Sequence, residues 1–394
     1  MPPLSDATLA YGEDMVKALL GADALYRSLT PSAGDDDRLV VVNMAPSYAP
    51  ASFATVDAFE ARFDELHRRA AALPEPDRRT YYDQLCVSTL ALLRWRTAGL
   101  SFSDQLHSFL HVPAAPPADD ELDRLRVDIR ALLTGMGYDG DLAAQCAAWQ
   151  ERMRVPADDV AAVLTDLMSE AWTRTEEILA LPAPRADGMR VATVRDVAFN
   201  ARCDYLHRTV ELNIDPVLTR PALKHLAVHE GYPGHYVQFK LRETWHHEGT
   251  AAADGLLSIV NSASSCTFEG IADNGMRVID WLDTDDDRAQ ALLTRYNAGI
   301  GAAAAWRLHA LGWNEGQARD WLHAQGLTGG EGWVDNRLRF IMAPQRSVLI
   351  WSYWWGDAAV GPAWERAAPA HRDDFLRFLY GRMHSVNSVA MFAV

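Results

Sequence analysis

Three histidines and one glutamate lie close together in the segment Pro221–Leu241, as His225, His229, Glu230 and His235. The chain has 13 histidines in 394 residues, so this is a local concentration. Imidazole nitrogens are the commonest metal ligands in proteins, and a neighbouring carboxylate can serve as a general base. The segment therefore predicts a metal centre that works with a proton acceptor.

The spacing of these histidines requires an irregular helix if they are to bind one metal ion. Residues four apart, such as His225 and His229, share a helix face, but His229 and His235 would lie ~120° apart around an ideal helix. Pro233 removes one helical donor and clashes with the carbonyl of His229, and Gly234 permits backbone angles that other residues avoid. We therefore expect a bend or bulge at this point that brings His235 beside His229.

On this interpretation, residues 229–235 form the HExxH motif of zincin hydrolases, stretched by a bulge. In such enzymes the two histidines bind zinc, and the glutamate takes a proton from the water that the metal activates. We predict His229 and His235 as metal ligands and Glu230 as the general base. His225 stays open as an alternative ligand.

A catalytic zinc takes a third protein ligand and keeps one open position. The best candidate is Glu269, with Glu243, Glu248 and Asp254 as rivals. Two histidines and one carboxylate also describe non-haem iron sites, so Fe²⁺ and Mn²⁺ are alternatives. A glutamate base adjacent to a ligand favours zinc.

Hydrolysis of an amide also needs a donor to the oxyanion that forms on the carbonyl. Tyr353 is the predicted donor, within an aromatic segment, and Arg346 and His384 are alternatives. Arg346 could instead bind a carboxylate of the substrate.

The order HExxPGHxxQ at residues 229–238 resembles the signature of bacterial domain-of-unknown-function family eight hundred and eighty-five. That family is regarded as metallopeptidases related to the zincins. Its downstream Glu-Gly-Trp-Ala resembles residues 269–272, where Ile271 replaces the Trp. A further segment of the family resembles Pro344-Gln345 and Tyr353 to Gly356. The resemblance covers about residues 190–394 and implies zinc bound by His229, His235 and Glu269, with Glu230 as base.

Helical patterns dominate the rest of the chain. Apolar residues in Ser52–Leu73 recur with helical spacing, whereas residues 189–197 and 209–214 are rich in Val and Thr and predict strands. After Pro221 we expect helices to the end of the chain. The predicted fold is mainly α, a large zincin-like helical body with a small β-sheet near the middle. Residues 1–185 would form an N-terminal helical region, and residues 186–394 the metal-binding catalytic region.

Composition limits the partners. The formal net charge of −16 argues against nucleic acid and against an anionic membrane surface. The start of the chain lacks the pattern of a signal peptide, and no apolar stretch is long enough to cross a bilayer, so we expect a cytoplasmic protein. The four dispersed cysteines predict reduced thiols, without a CxxC metal or redox site.

Three functions follow from these observations. The first is a zinc peptidase or amidohydrolase that acts on a small peptide or another amide-containing substrate. The second is a metal-dependent biosynthetic enzyme that acts on a small metabolite. The third is a non-catalytic metal-binding protein. The sequence leaves the oligomeric state and the exact substrate open.

Overall fold

Helices make up most of the computed structural model, which describes residues 3–29 and 38–392. The helices are α1 (Asp6–Ser28), α2 (Val56–Ala70), α3 (Pro76–Ala98), α4 (Phe102–Gln105), α5 (Asp119–Gly135), α6 (Leu142–Met153), α7 (Val160–Ile178), α8 (Arg220–Leu226), α9 (His235–His247), α10 (Ser265–Asp273), α11 (Gly275–Val278), α12 (Asp285–His309), α13 (Glu315–Gln325), α14 (Gly330–Met342), α15 (Arg346–Arg366), α16 (Arg372–Gly381) and α17 (Val386–Val389). The strands are β1 (Val40–Asn43), β2 (Arg190–Val194), β3 (Ala201–Asp204), β4 (Thr209–Asn213) and β5 (Leu257–Ile259). Short π-helical turns span Leu106–Leu110 and Ala227–Gly231. The predicted mainly α fold with a small sheet near the middle is confirmed.

Helix α2 shows how the sequence produces these elements. Its apolar positions Phe59, Phe63 and Leu66 are fully buried on one face. The Thr55 hydroxyl accepts a hydrogen bond from the Ala58 amide at 3.1 Å and caps the first turn. The helix predicted within Ser52–Leu73 is therefore present, with ends set by its cap.

The two predicted strands are present as β2 and β4. They pair in parallel, with Val191 opposite Val210, and β3 joins the other edge of β4 in the antiparallel sense. The sheet order is β2-β4-β3. Val210 and Leu212 on the central strand are completely buried, which explains why apolar residues are needed there.

The expectation of helices from Pro221 to the end is wrong at one place. Residues 257–259 form β5, which pairs in the antiparallel sense with β1. A three-residue strand carries too little periodicity to be recognised, and its partner lies some two hundred residues earlier in the chain.

The chain divides into two compact units, each built from separate stretches of sequence. Unit 1 comprises residues 1–114, 238–271 and 355–394, and unit 2 comprises residues 115–237 and 272–354. Unit 1 has its core between α1, α2 and α3, around Tyr11, Phe63 and Tyr82. Unit 2 packs α12 against α5, and α7 against the turn Ala227–Gly231. The predicted boundary between an N-terminal helical region (residues 1–185) and a metal-binding catalytic region (residues 186–394) stays a prediction.

Within residues 3–29 and 38–392, no helix is long and apolar enough to cross a membrane. The four cysteines form no disulfide there, and Cys86, Cys146 and Cys266 are buried. The cytoplasmic location stays a prediction.

Candidate metal centre and adjoining cavity

The histidine segment folds as a helix interrupted by a bulge. Helix α8 ends at Leu226 and continues as the π-helical turn Ala227–Gly231, in which the Tyr232 amide donates to the Ala227 carbonyl at 3.1 Å. The Gly234 amide then donates to the Val228 carbonyl at 2.9 Å, and α9 begins at His235. The Tyr232–Pro233 peptide bond is cis.

Gly234 is required by the close approach of this bulge to the preceding turn. A Cβ at residue 234 would lie 1.9 Å from the carbonyl oxygen of His229 and 2.3 Å from that of Val228. No side chain fits in that space, so any other residue would force the backbone apart. The Pro-Gly pair therefore lets the chain fold back on itself within six residues.

The predicted bulge places the two imidazoles together. The ring centroids of His229 and His235 lie 4.6 Å apart in an edge-on arrangement. His225 lies on the other side of His229, with ring centroids 5.5 Å apart, as the four-residue spacing requires. The geometric expectation that Pro233 and Gly234 bring His235 beside His229 is confirmed.

A carboxylate that the sequence reasoning did not assign holds His229 in place. The Asp273 Oδ1 atom lies 2.8 Å from His229 Nδ1 and 3.5 Å from His225 Nε2. Burial raises the pKa of the Asp273 carboxyl, but the two imidazoles outweigh this and hold that pKa well below its usual range. Asp273 lies four residues after Glu269 on α10, which was the available signal for a second acid on this helix face.

These contacts also define a second possible ligand set. Ligand atoms of His225, His229 and Asp273 lie within 4.8 Å of one another, so they too could hold a metal ion. This set is a rival to the predicted set that contains His235.

Glu230 is buried with only 6% of its surface exposed, and it lines the same cavity as His229. Its carboxylate is close enough to Cys203 to matter electrostatically. Burial raises the pKa of that thiol well above its usual value, and the Glu230 charge adds to the effect. Glu230 is thus a buried acid next to an imidazole pair, as a general base of this class would be.

Glu269 belongs to unit 1 and lies half-buried on α10. The residue after it, Gly270, allows α10 and α15 to touch, because a Cβ there would lie 2.2 Å from the carbonyl oxygen of Gly356. The Glu-Gly pair and the Tyr-x-x-Gly segment, both part of the family resemblance, therefore meet at these two glycines. The role of Glu269 as third ligand stays a prediction.

Unit 2 contains a cavity of about 230 Å³, with His229, Glu230 and Tyr353 in its lining. Tyr353, the predicted oxyanion donor, is half-buried there, and its ring centroid lies 6.4 Å from that of Phe340. Pockets for drug-sized ligands measure roughly 300–1,000 Å³, so this one suits a smaller molecule.

The alternatives to Tyr353 lie elsewhere. Arg346 is not among the residues that line the cavity, and its guanidinium stacks 5.6 Å above the Phe340 ring. His384 is buried in unit 1, where Nε2 bonds the Phe378 carbonyl at 2.8 Å. Burial lowers the pKa of His384 to about 3. The arginine that does line the cavity is Arg337, which the sequence reasoning overlooked.

Comparison with known proteins adds the fold only. No family model matches the chain, and neither does any curated protein. Among solved structures, the chain is similar to a putative lipoprotein of unknown function from Shewanella oneidensis. The TM-score is 0.52 at 13% sequence identity, over 96% of this chain and 72% of that chain. At this identity the likeness supports a shared fold and says nothing of activity.

Proposed function

We propose that this protein is a metal-dependent hydrolase that cleaves an amide or peptide bond, with zinc as the preferred metal. The predicted ligands are His229, His235 and Glu269, and Glu230 is the predicted general base. Its substrate would be a small peptide or another amide-containing molecule.

The observation that carries the proposal is the pair of imidazoles of His229 and His235, together with the half-buried Asp273 carboxylate that holds His229. Metal-binding histidines commonly donate their second ring nitrogen to a carboxylate, which fixes the ring and makes the ligand nitrogen more basic. The contact of 2.8 Å between Asp273 Oδ1 and His229 Nδ1 has this form. His229 would then bind a metal through Nε2. Imidazole and carboxylate donors together suit a borderline-soft divalent ion such as Zn²⁺.

The residues around the cavity would have separate roles in the hydrolysis. A zinc ion supplies Lewis acidity, which makes a nucleophile available from water near neutral pH. Glu230 would accept the proton of the attacking water and pass it to the leaving amine. The Tyr353 hydroxyl would donate a hydrogen bond to the oxygen on which charge develops. The buried position of Glu230 keeps bulk water from competing for that proton.

The test is the Glu230→Gln variant, which keeps the size of the side chain but cannot accept the proton. Loss of a general base typically lowers the rate by ~10²–10⁴. We expect hydrolysis of a panel of dipeptides and N-acylated amino acids to fall by this amount, while metal content stays that of the wild type. Glu170→Gln, an exposed acid on α7, is the matched control and should leave the rate unchanged.

Three results would contradict the proposal. Full activity in Glu230→Gln would show that Glu230 is not the general base. Loss of metal in that variant would show that Glu230 is a metal ligand. A metal-loaded wild type that hydrolyses nothing in the panel would favour the non-catalytic metal-binding protein.

A further inference from the structure

Arg337 on α14 places a cation at the wall of the cavity. Within the described part of the chain it forms no ion pair, and its Nε is buried without a hydrogen bond. Burial lowers the pKa of its guanidinium, and the neighbouring Tyr353 phenol offsets this in part. Of the residues that line the cavity, it alone is a lysine or arginine. A half-buried cation in such a position is stabilised by an anion that enters the cavity.

The aliphatic part of Arg337 is held by a glycine on a neighbouring helix. A Cβ at Gly301 of α12 would lie 3.2 Å from Arg337 Cδ and 3.2 Å from Ile350 Cδ1. The side chain therefore passes close over α12 before it reaches the cavity. Its stacking neighbours are Trp333 and Phe340, with the guanidinium carbon 5.6 and 6.0 Å from their ring centroids.

Asn297 also lines this cavity and carries an unmatched polar atom. It lies one helical turn before Gly301 on α12, so it shares the face on which the Arg337 side chain rests. Its Oδ1 is buried and has no hydrogen-bond partner among the described residues. Rotation of the side chain would turn this oxygen to the cavity, where it can accept a hydrogen bond from an N–H of a ligand.

The groups that line the cavity define the chemistry of a small molecule that would bind there. It carries a carboxylate for Arg337, an N–H for Asn297 and an apolar group for the aromatic walls formed by Phe199, Trp333 and Phe340. A single amino-acid residue with an acylated nitrogen has all three features, and its size suits a cavity of about 230 Å³.

We propose that Arg337 binds the free carboxylate of the substrate and that Asn297 accepts the N–H of the bond to be cleaved. The substrate class is then an N-acylated amino acid or a short peptide cut at its C-terminal residue, with an aromatic or large aliphatic side chain. Hydrolysis adds one water, breaks the C–N bond, and releases the free amino acid and the acid of the acyl part. The cleavage rests on the proposed function, whereas the carboxylate preference can be measured without turnover.

The experiment compares N-acetyl-phenylalanine with its neutral amide, N-acetyl-phenylalaninamide, by titration calorimetry on the metal-loaded full chain. The Glu230→Gln background prevents cleavage during the titration. A charge-assisted hydrogen bond predicts that the acid binds at least about tenfold more tightly than the amide. Arg337→Met should abolish this preference and leave binding of the amide unchanged. Arg339→Met, an exposed arginine on the same helix, is the matched control and should keep the preference.

Equal binding of acid and amide, or no binding of either, would overturn the proposal. A preference that survives Arg337→Met but disappears on chelation would place the carboxylate on the metal and would also overturn it. Failure of the proposed hydrolysis is a separate outcome, because the Arg337-dependent preference would persist without it. A melting curve of Arg337→Met like that of Arg339→Met shows that the fold is intact in both.

Discussion

Two arginines, Arg78 of unit 1 and Arg337 of unit 2, have opposite surroundings. In unit 1, Arg78 lies 2.8 Å from the Asp254 carboxylate, with both side chains 1% exposed, and Tyr82 donates to the same carboxylate at 2.6 Å. In unit 2, Arg337 lines a cavity and has no acidic partner among the described residues. Neither Nε atom has a hydrogen-bond partner among the described residues, so the two arginines differ in whether a carboxylate lies beside the guanidinium. The comparison separates Arg78, whose charge stabilises the fold, from Arg337, whose charge we propose to bind a ligand.

The unit 1 arrangement extends beyond one pair. Arg78 also donates to the Met383 carbonyl at 2.6 Å, and its guanidinium stacks on two tyrosine rings at 4.3 and 4.7 Å. Arg382 donates to both carboxylate oxygens of Asp77 at 2.9 Å. The ion pairs and hydrogen bonds join distant parts of the sequence, which is the pattern of a structural network, whereas the two stacked rings, Tyr81 and Tyr82, are sequence neighbours of Arg78.

The largest effect that we predict follows from breaking this pairing. Arg78→Met leaves the Asp254 carboxylate buried and without its counter-charge, which typically costs ~3–5 kcal/mol of unfolding free energy. Arg337→Met removes an unpaired cation, so its unfolding free energy should equal or exceed that of the wild type. Urea unfolding of both variants measures the contrast. Similar losses in the two would remove the distinction between the arginines.

A smaller effect should appear in Tyr353→Phe, which keeps the ring and removes the hydroxyl. The loss of one oxyanion donor typically lowers kcat by ~10²–10³. We expect kcat to fall by this amount on any substrate found in the panel, with KM and melting temperature little changed. A kcat equal to that of the wild type would exclude Tyr353 as the oxyanion donor and would indicate that it only packs beside Phe340.

The smallest effect concerns the carboxylate that orients His229. Loss of such an outer partner typically weakens metal binding by ~10–100-fold, so Asp273→Asn should still bind metal, but less tightly. Competition with a chelator measures the shift, and Asp283→Asn, an exposed acid of unit 2, is the control. A complete loss of metal in Asp273→Asn would instead make Asp273 a ligand.

The local part of the site could be predicted from the sequence. Proline and glycine act on the backbone within a few residues, so the bulge at Pro233 and Gly234 and the approach of His235 to His229 followed from residue type alone. The strands β2 and β4 could be predicted for the same reason, because Val favours the β-strand conformation.

The parts that escaped prediction depend on the tertiary fold. Asp273 meets His229 across 44 residues of sequence. Arg337 is one of 34 arginines, and its place in the cavity wall is set by packing. Strand β5 exists because β1 is available to pair with it. No local pattern encodes such facts.

The most direct test of the metal centre is the metal content of protein purified without added metal. A catalytic site of this type predicts about one zinc per chain. His229→Asn and His235→Asn should each lose it, whereas His225→Asn should keep it, since His225 belongs only to the rival set with Asp273. Loss in His225→Asn with retention in His235→Asn would move the metal to that rival set. A wild-type content below about 0.2 metal per chain would contradict the account as a whole.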